Sequence, residues 1–159
     1  GLKVTQIRLG TARLTHCMRW LGLSKRCLEE ASAYVAHRMS FGQTLAAHEG
    51  VQWMLGDVAK DIQIGRLLTM QAAWKLDQGD FARSDISIAK IHAADTLHKA
   101  ADTAIQLLGA RGYSKDTIVE WIYRYARQAR LVDGASEIHK MVLSRAYLSE
   151  GQDFFRWGV

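Results

Sequence analysis

Apolar residues recur along the chain at spacings of three, four and seven, the mark of helix faces rather than strands. Leu14, Cys17, Leu21, Leu28, Ala31 and Val35 fall on a first seam. A second runs Val51, Leu55, Val58, Ile62, Leu68, Ala72 and Leu76, and Gly79 follows where a C-terminal stop belongs. A third runs Ile86, Ala89, Ala93, Leu97, Ala100, Ala104 and Leu108, ending in the glycines of Leu108-Gly109-Ala110-Arg111-Gly112. Thr117-Ile118-Val119-Glu120 has the spacing of a capping box, in which Thr117 and Glu120 each satisfy an orphan N–H. It predicts a fourth helix carrying Ile118, Ile122, Ala126 and Ala129. A fifth starts just after Asp133-Gly134 and carries Ile138, Met141 and Val142. No segment alternates with period two for long enough to predict a strand.

The breaks between these seams are short, at residues 39–44, 78–84, 111–116 and 131–135. Short connections make successive helices antiparallel neighbours. The first three helices are each about 25 to 30 residues, or roughly 40 Å. The expected fold is therefore all-α: one domain over residues 1–159, an up-and-down four-helix bundle with an additional short C-terminal helix. The absence of proline suits long uninterrupted helices. The tail, residues 149–159, shows no period, and its Phe154, Phe155 and Trp157 need a surface to cover.

Composition narrows the class. Hydrophobic residues at 48% and charged residues at 23% are those of a globular chain, not a disordered or fibrous one. The apolar runs are too short for a membrane span, and residues 1–9 hold no signal-peptide core. A soluble protein is expected, cytoplasmic or in a mitochondrial matrix. Cys17 and Cys27 stand about 15 Å apart along one helix, too far for a disulfide, which fits a reducing compartment. Lys+Arg 21 against Asp+Glu 16 gives a net charge of +5. Nucleic acid, an acidic protein or a phosphate-bearing small molecule each fit that balance. Arg124, Arg127 and Arg130 form a stripe that would track phosphates, face solvent, or pair across a subunit interface. The six histidines show no ligand-spaced pair, and His92 and His98 face different sides of their helix.

Two segments stand out from bundle connections. Arg38-Met39-Ser40-Phe41-Gly42-Gln43-Thr44-Leu45, with His48 beyond, puts a guanidinium, a hydroxyl and an aromatic ring on one turn. Such a turn holds a phosphate and covers a flat heterocycle, or else it is a plain helix stop at Gly42. Leu131-Val132-Asp133-Gly134-Ala135-Ser136-Glu137 places one carboxylate on a tight turn before a helix. Asp133 is there either an N-cap or a general base in an apolar setting.

Taken together, from about residue 13 to 145, the segments resemble the C-terminal helical domain of the acyl-CoA dehydrogenase family. Arg38-x-Ser40-Phe41-Gly42 is similar to its Arg-x-(Ser/Thr)-Phe-Gly signature. Gln106-Leu107-Leu108-Gly109-Ala110-Arg111-Gly112-Tyr113 is similar to its Gln-x-x-Gly-Gly-x-Gly-(Phe/Tyr) element. Ser87-Ile88-Ala89-Lys90 and Tyr123-Arg124 fall at the family's intervals, and Asp133-Gly134 stands where it has Glu-Gly. Arg8-Leu9-Gly10, His16-Cys17-Met18 and Asp133-Gly134-x-x-Glu137-x-His139 resemble an atypical branch with aspartate as the base.

The resemblance implies a flavoenzyme using FAD to oxidise an acyl-CoA thioester to its trans-2-enoyl form. Asp133 is then the catalytic carboxylate, its backbone N–H and a flavin hydroxyl holding the thioester carbonyl. Arg38 and Ser40 bind the pyrophosphate and Phe41 lies near the flavin. Leu45, His48 and Val51 line the cofactor across a dimer interface. Gln106 and Gly109 contact the adenosine diphosphate of the partner subunit, and Glu137 lies by the subunit's own adenosine. Arg13 and Gly134 belong to the substrate pocket. The implied partners are an acyl-CoA, a homo-oligomer (dimer or tetramer) and an electron-transfer flavoprotein as electron acceptor. A purely oligomerising domain and a basic nucleic-acid binder are the competing classes.

Four departures bear on this. Asp133 is one methylene shorter than glutamate, so backbone or substrate must shift by about 1.5 Å to restore transfer distance. Ala110 replaces a glycine. Where some relatives carry an alternative base before the arginine, this chain has Ala12 before Arg13. The family's N-terminal helical and middle β domains are absent from the sequence, so a C-terminal domain alone, inactive by itself, is expected.

Overall fold

The computed structural model describes residues 1–156. The expected Trp157 therefore lies outside the described residues. Helix α1 spans Leu2–Val35, α2 Glu49–Asp77 and α3 Arg83–Leu108. After these come a single turn, α4 (Ala110–Tyr113), then α5 (Val119–Ala129) and α6 (Ser136–Glu150). A 3-10 turn, Gly151–Phe155, follows α6. The three long helices run up, down and up, as the short breaks require, and among the described residues the fold is all-α apart from one small hairpin.

That hairpin joins α1 to α2. Strands β1 (Met39–Ser40) and β2 (Gln43–Thr44) pair antiparallel, Met39 opposite Thr44 and Ser40 opposite Gln43. Each is two residues long, too short for any period to announce it in the sequence. Its loop residues Phe41 (φ 50°) and Gly42 (φ 81°) are both left-handed, which matches the twist of a two-residue hairpin.

Helix α3 is central because it can be buried on several sides. Ala89, Ala93, Ala94, Ala100, Ala101 and Ala104 are all buried, and these small side chains let α1, α2, α5 and α6 approach. Trp20, Cys17 and Cys27 from α1 fill the space around them, each fully buried. The two thiols are free, and burial pushes each up to about 12. Helices α1 and α2 meet at Gly65, where a Cβ would lie 2.6 Å from Leu21 Cδ2. The first and third seams are buried almost throughout; the second is buried at Val58, Ile62 and Ala72 and half-buried elsewhere.

Two local expectations do not hold. The capping box is not formed. Thr117 Oγ1 accepts the Val119 N–H at 3.4 Å, two residues on, while Glu120 turns away to pair with Arg124 at 2.6 Å. Helix α6 does not carry Ile138 and Met141 into the core; both are exposed, and the buried residues are Ser136 and His139. A polar contact, described next, fixes the orientation of that helix. Among the described residues, no helix is long and apolar enough to cross a membrane.

Candidate functional site

The chain leaves α5 at Ala129 and turns back into α6 at Ser136. Two consecutive left-handed residues make that turn, Asp133 (φ 51°) and Gly134 (φ 99°). Aspartate is among the few side chains that tolerate this region, and at Gly134 a Cβ would also lie 3.1 Å from His139 Nε2.

The turn is held from beneath by cations of two long helices. Arg13 Nε on α1 donates to the Asp133 carbonyl at 2.9 Å. Lys90 Nζ on α3 donates to the Gly134 carbonyl at 2.8 Å and reaches that of Ala129 at 3.4 Å. The Ser136 N–H donates to Arg130 O at 3.1 Å. With its carbonyls engaged in this way, the turn has little freedom to rotate.

Lys90 is wholly buried, with Nζ 5.4 Å from the centre of the Trp20 ring. Burial lowers its pKa and also that of Arg13, where the nearby Asp133 acts in the opposite direction. His139 lies between Ser87 Oγ, 3.0 Å from Nδ1, and the Asp133 carbonyl, 3.4 Å from Nε2. Burial first, then the charges of Lys90 and Arg13, pull its pKa down to about 4, so the ring is neutral at pH 7. A neutral ring has one N–H. With that proton on Nε2 facing Asp133 O, the Ser87 hydroxyl donates to Nδ1; in the other tautomer it donates to Arg83 O, 2.9 Å away.

Asp133 is not the N-cap of α6; Ala135 occupies that position and no side chain caps it. The carboxylate instead meets α1, its Oδ2 3.0 Å from His16 Nε2. Its surroundings are therefore more polar than the flanking Val132 suggested. The His16 ring stacks on Trp20 with centres 5.2 Å apart.

A second cluster lies at the C-terminal end of α1. Arg38 is exposed beside a groove of about 440 Å³ that Tyr34, His37, Arg111 and Thr117 also line. Phe41 is 97% exposed on its left-handed residue, a conformation that costs a phenylalanine about 1–2 kcal/mol. The Gln43 amide donates to His48 Nδ1 at 3.2 Å, which leaves Nε2–H to donate to Ser40 O at 3.1 Å. His48 thus braces the hairpin. Leu45 and Val51 pack against the core. Gln106 and Gly109 are exposed at the end of α3, and Glu137 is exposed in the first turn of α6.

The expected residues thus form two groups. From His16, which pairs with Asp133, to Val35, the last residue of α1 before the hairpin, the helix rises about 29 Å. From Lys90 to Gln106, α3 rises about 24 Å. Arg38, Gln106 and Gly109 share one end of the bundle, while Arg13, Asp133 and Gly134 are together far from it. Arg38 and Arg111 line one groove together with Glu30, and two guanidinium groups so placed can hold an anion such as a phosphate.

Three contributors to the Asp133 turn carried no assigned role in the sequence: His16, Lys90 and His139. Lys90 had a visible signal, a cation embedded in the alanine-rich seam of α3. His16 and His139 had none beyond their place in the resemblance. Among the remaining candidates, His92 turns to α2, with Nε2 2.8 Å from Asp61 O, and His98 turns to Tyr123 on α5. In the arginine stripe, Arg124 pairs with Glu120, and Arg130 lies 3.6 Å from Asp95.

Comparison with known proteins gives a consistent picture. Residues 1–148 match the family model described as acyl-CoA dehydrogenase, C-terminal domain. Acyl-CoA dehydrogenase family member 11 of Rattus norvegicus is 35% identical over 152 residues, covering 94% of this chain and 20% of that protein. The solved glutaryl-coenzyme A dehydrogenase in complex with glutaryl-CoA superposes with a TM-score of 0.90 at 30% identity, over 100% of this chain and 40% of that one. Butyryl-CoA dehydrogenase from Megasphaera elsdenii gives 0.89 at 30% identity, over 93% and 39%. The chain spans 19–40% of the length of the first curated relatives it matches. By sequence and by fold, the chain belongs to the acyl-CoA dehydrogenase family, as its C-terminal domain.

Proposed function

We propose that this domain works within a longer FAD-dependent acyl-CoA dehydrogenase, supplying the base for α,β-dehydrogenation of an acyl-CoA thioester. The observation that carries this reading is the turn at Asp133. One carboxylate sits on a backbone whose carbonyls are tied inward by Arg13 and Lys90. Among the described residues no hydrogen bond engages the Asp133 N–H. With its carbonyl side anchored, the turn keeps that N–H available to a substrate carbonyl. Negative charge then accumulates on the thioester oxygen as the α-proton leaves, and an oriented N–H stabilises it. The carboxylate accepts that proton, and Gly134 keeps bulk away from the approach.

FAD, when bound, supplies the acceptor for the β-hydride. Arg38 and Ser40 hold its pyrophosphate, Phe41 covers part of the ring system, and His48 keeps the hairpin in shape. Gln106 and Gly109 reach its adenosine half at the same end of the bundle. The rise of about 29 Å along α1 from His16, which meets Asp133, to Val35, three residues before Arg38, argues that one chain does not apply both groups to the same cofactor. Each hairpin therefore serves the cofactor of a neighbouring subunit, and a dimer or tetramer is required for a complete site. Glu137, in the first turn of α6, faces the subunit's own cofactor. Electrons leave to an electron-transfer flavoprotein.

The test uses the full-length protein. Purified under mild conditions, it carries flavin absorbance, self-associates, and loses that absorbance anaerobically when acyl-CoA is added. Flavin-free protein that neither binds added FAD nor oligomerises contradicts the reading.

A further inference from the structure

Asp133 has a short arm, and the backbone ties described above fix its Cα without fixing its carboxylate. Among the described residues, one side chain pairs with that carboxylate: His16, whose Nε2 lies 3.0 Å from Oδ2. His16 is itself tightly placed. It sits within continuous helix α1, and its ring lies nearly parallel to Trp20, at 17° with centres 5.2 Å apart. Its other nitrogen, Nδ1, is buried and has no hydrogen-bond partner. A carboxylate only accepts hydrogen bonds, so the pair requires a proton on Nε2. A neutral ring meets that demand with Nδ1 as the bare acceptor, and no buried N–H is left over.

We propose that His16 is a positioning residue for Asp133: its Nε2–H occupies Oδ2, aims the short carboxylate, and leaves Oδ1 as the atom that takes the substrate's α-proton. This rests on Asp133 being the base. Only one bond to the carboxylate is specified, so proton balance is simple. The α C–H bond breaks, an Oδ1–H bond forms, and His16 keeps its own proton throughout. A glutamate reaches its target through an extra rotatable bond. An aspartate lacks that adjustment, and a ring stacked on Trp20 supplies the missing aim. Misplacement by about 1 Å is enough to lower a rate a hundredfold, which sets the scale of the expected effect.

Two measurements test it. In the full-length enzyme, His16→Ala lowers the rate of anaerobic flavin reduction by acyl-CoA about tenfold to a hundredfold, with KM and flavin content near wild type. His16→Gln, whose amide can donate to Oδ2, recovers most of that loss. In the same full-length protein, nitrogen-15 spectra of the imidazole show the Nε2–H form of His16, and Asp133→Ala shifts those signals. Equal rates in His16→Ala and wild type, while Asp133→Asn is inactive, overturn the positioning role and leave the base assignment standing. A wild-type rate in Asp133→Asn overturns both. Failure of His16→Gln to exceed His16→Ala, or ring signals unmoved by Asp133→Ala, also overturns the proposal.

Discussion

Lys90 Nζ donates to the Gly134 carbonyl at 2.8 Å across 44 positions of sequence, and it does so from a site with no solvent exposure. An ammonium group is costly to bury, and here it is spread over two carbonyls and an indole face. The contact joins the central helix to the turn that presents Asp133. Arg13 makes the same kind of bond from α1, so the turn is clamped by two helices at once.

Removing that ammonium group strands buried acceptors and opens a cavity. Lys90→Ala is expected to destabilise the chain by about 2–4 kcal/mol in urea unfolding. A change within about 0.5 kcal/mol, the range of a solvated side chain, contradicts the clamp.

His139 gives the fold a pH dependence of defined sign. Its folded pKa, near 4, lies below the ordinary 6.5, so between those values the unfolded chain binds a proton that the native ring refuses. Stability therefore falls as pH drops from about 6.5 towards 4, and this contribution levels off below the folded value. Urea midpoints measured from pH 7 to 4.5 should fall less steeply in His139→Gln than in wild type. Parallel curves for the two proteins contradict the assignment.

Much of this was legible in the sequence, and the reasons differ by element. The long seams showed the helices because the alanines of α3 and the apolar stripe of α1 repeat with the helical period. The hairpin at Met39–Thr44 was missed as a hairpin since two-residue strands carry no period, although Phe41-Gly42 marked a turn. Ile138 and Met141 misled because α6 is oriented by His139 against Ser87 and not by its apolar residues. Asp133 stood out by its motif, but His16, 117 positions earlier by sequence number, becomes its neighbour only through packing.

Phe41 combines strain with exposure, so its ring contributes little to this chain's own stability. Phe41→Asn places a residue that favours the left-handed region at the first loop position of the hairpin. Thermal or urea unfolding should show a gain of about 0.5–1 kcal/mol, and the full-length protein should hold FAD less well. A destabilised chain, or undiminished cofactor retention, counts against a strained cofactor contact.

Arg38 is exposed and has no ion-pair partner among the described residues. Arg38→Ala should leave unfolding of this chain unchanged. In the full-length protein it removes a charge-assisted bond to pyrophosphate, worth about 1.5–3 kcal/mol, or roughly tenfold or more in FAD affinity. Flavin content unchanged after dialysis is the opposing result.

The central claim is that Asp133 takes the α-proton, and rapid anaerobic mixing of acyl-CoA with full-length Asp133→Asn tests it most directly. Asparagine keeps the size, tolerates the left-handed backbone and retains an oxygen for His16, but it does not accept a proton at neutral pH. The account predicts that FAD and acyl-CoA still bind while flavin reduction slows by at least about a hundredfold. Reduction at the wild-type rate would contradict it and place the base elsewhere.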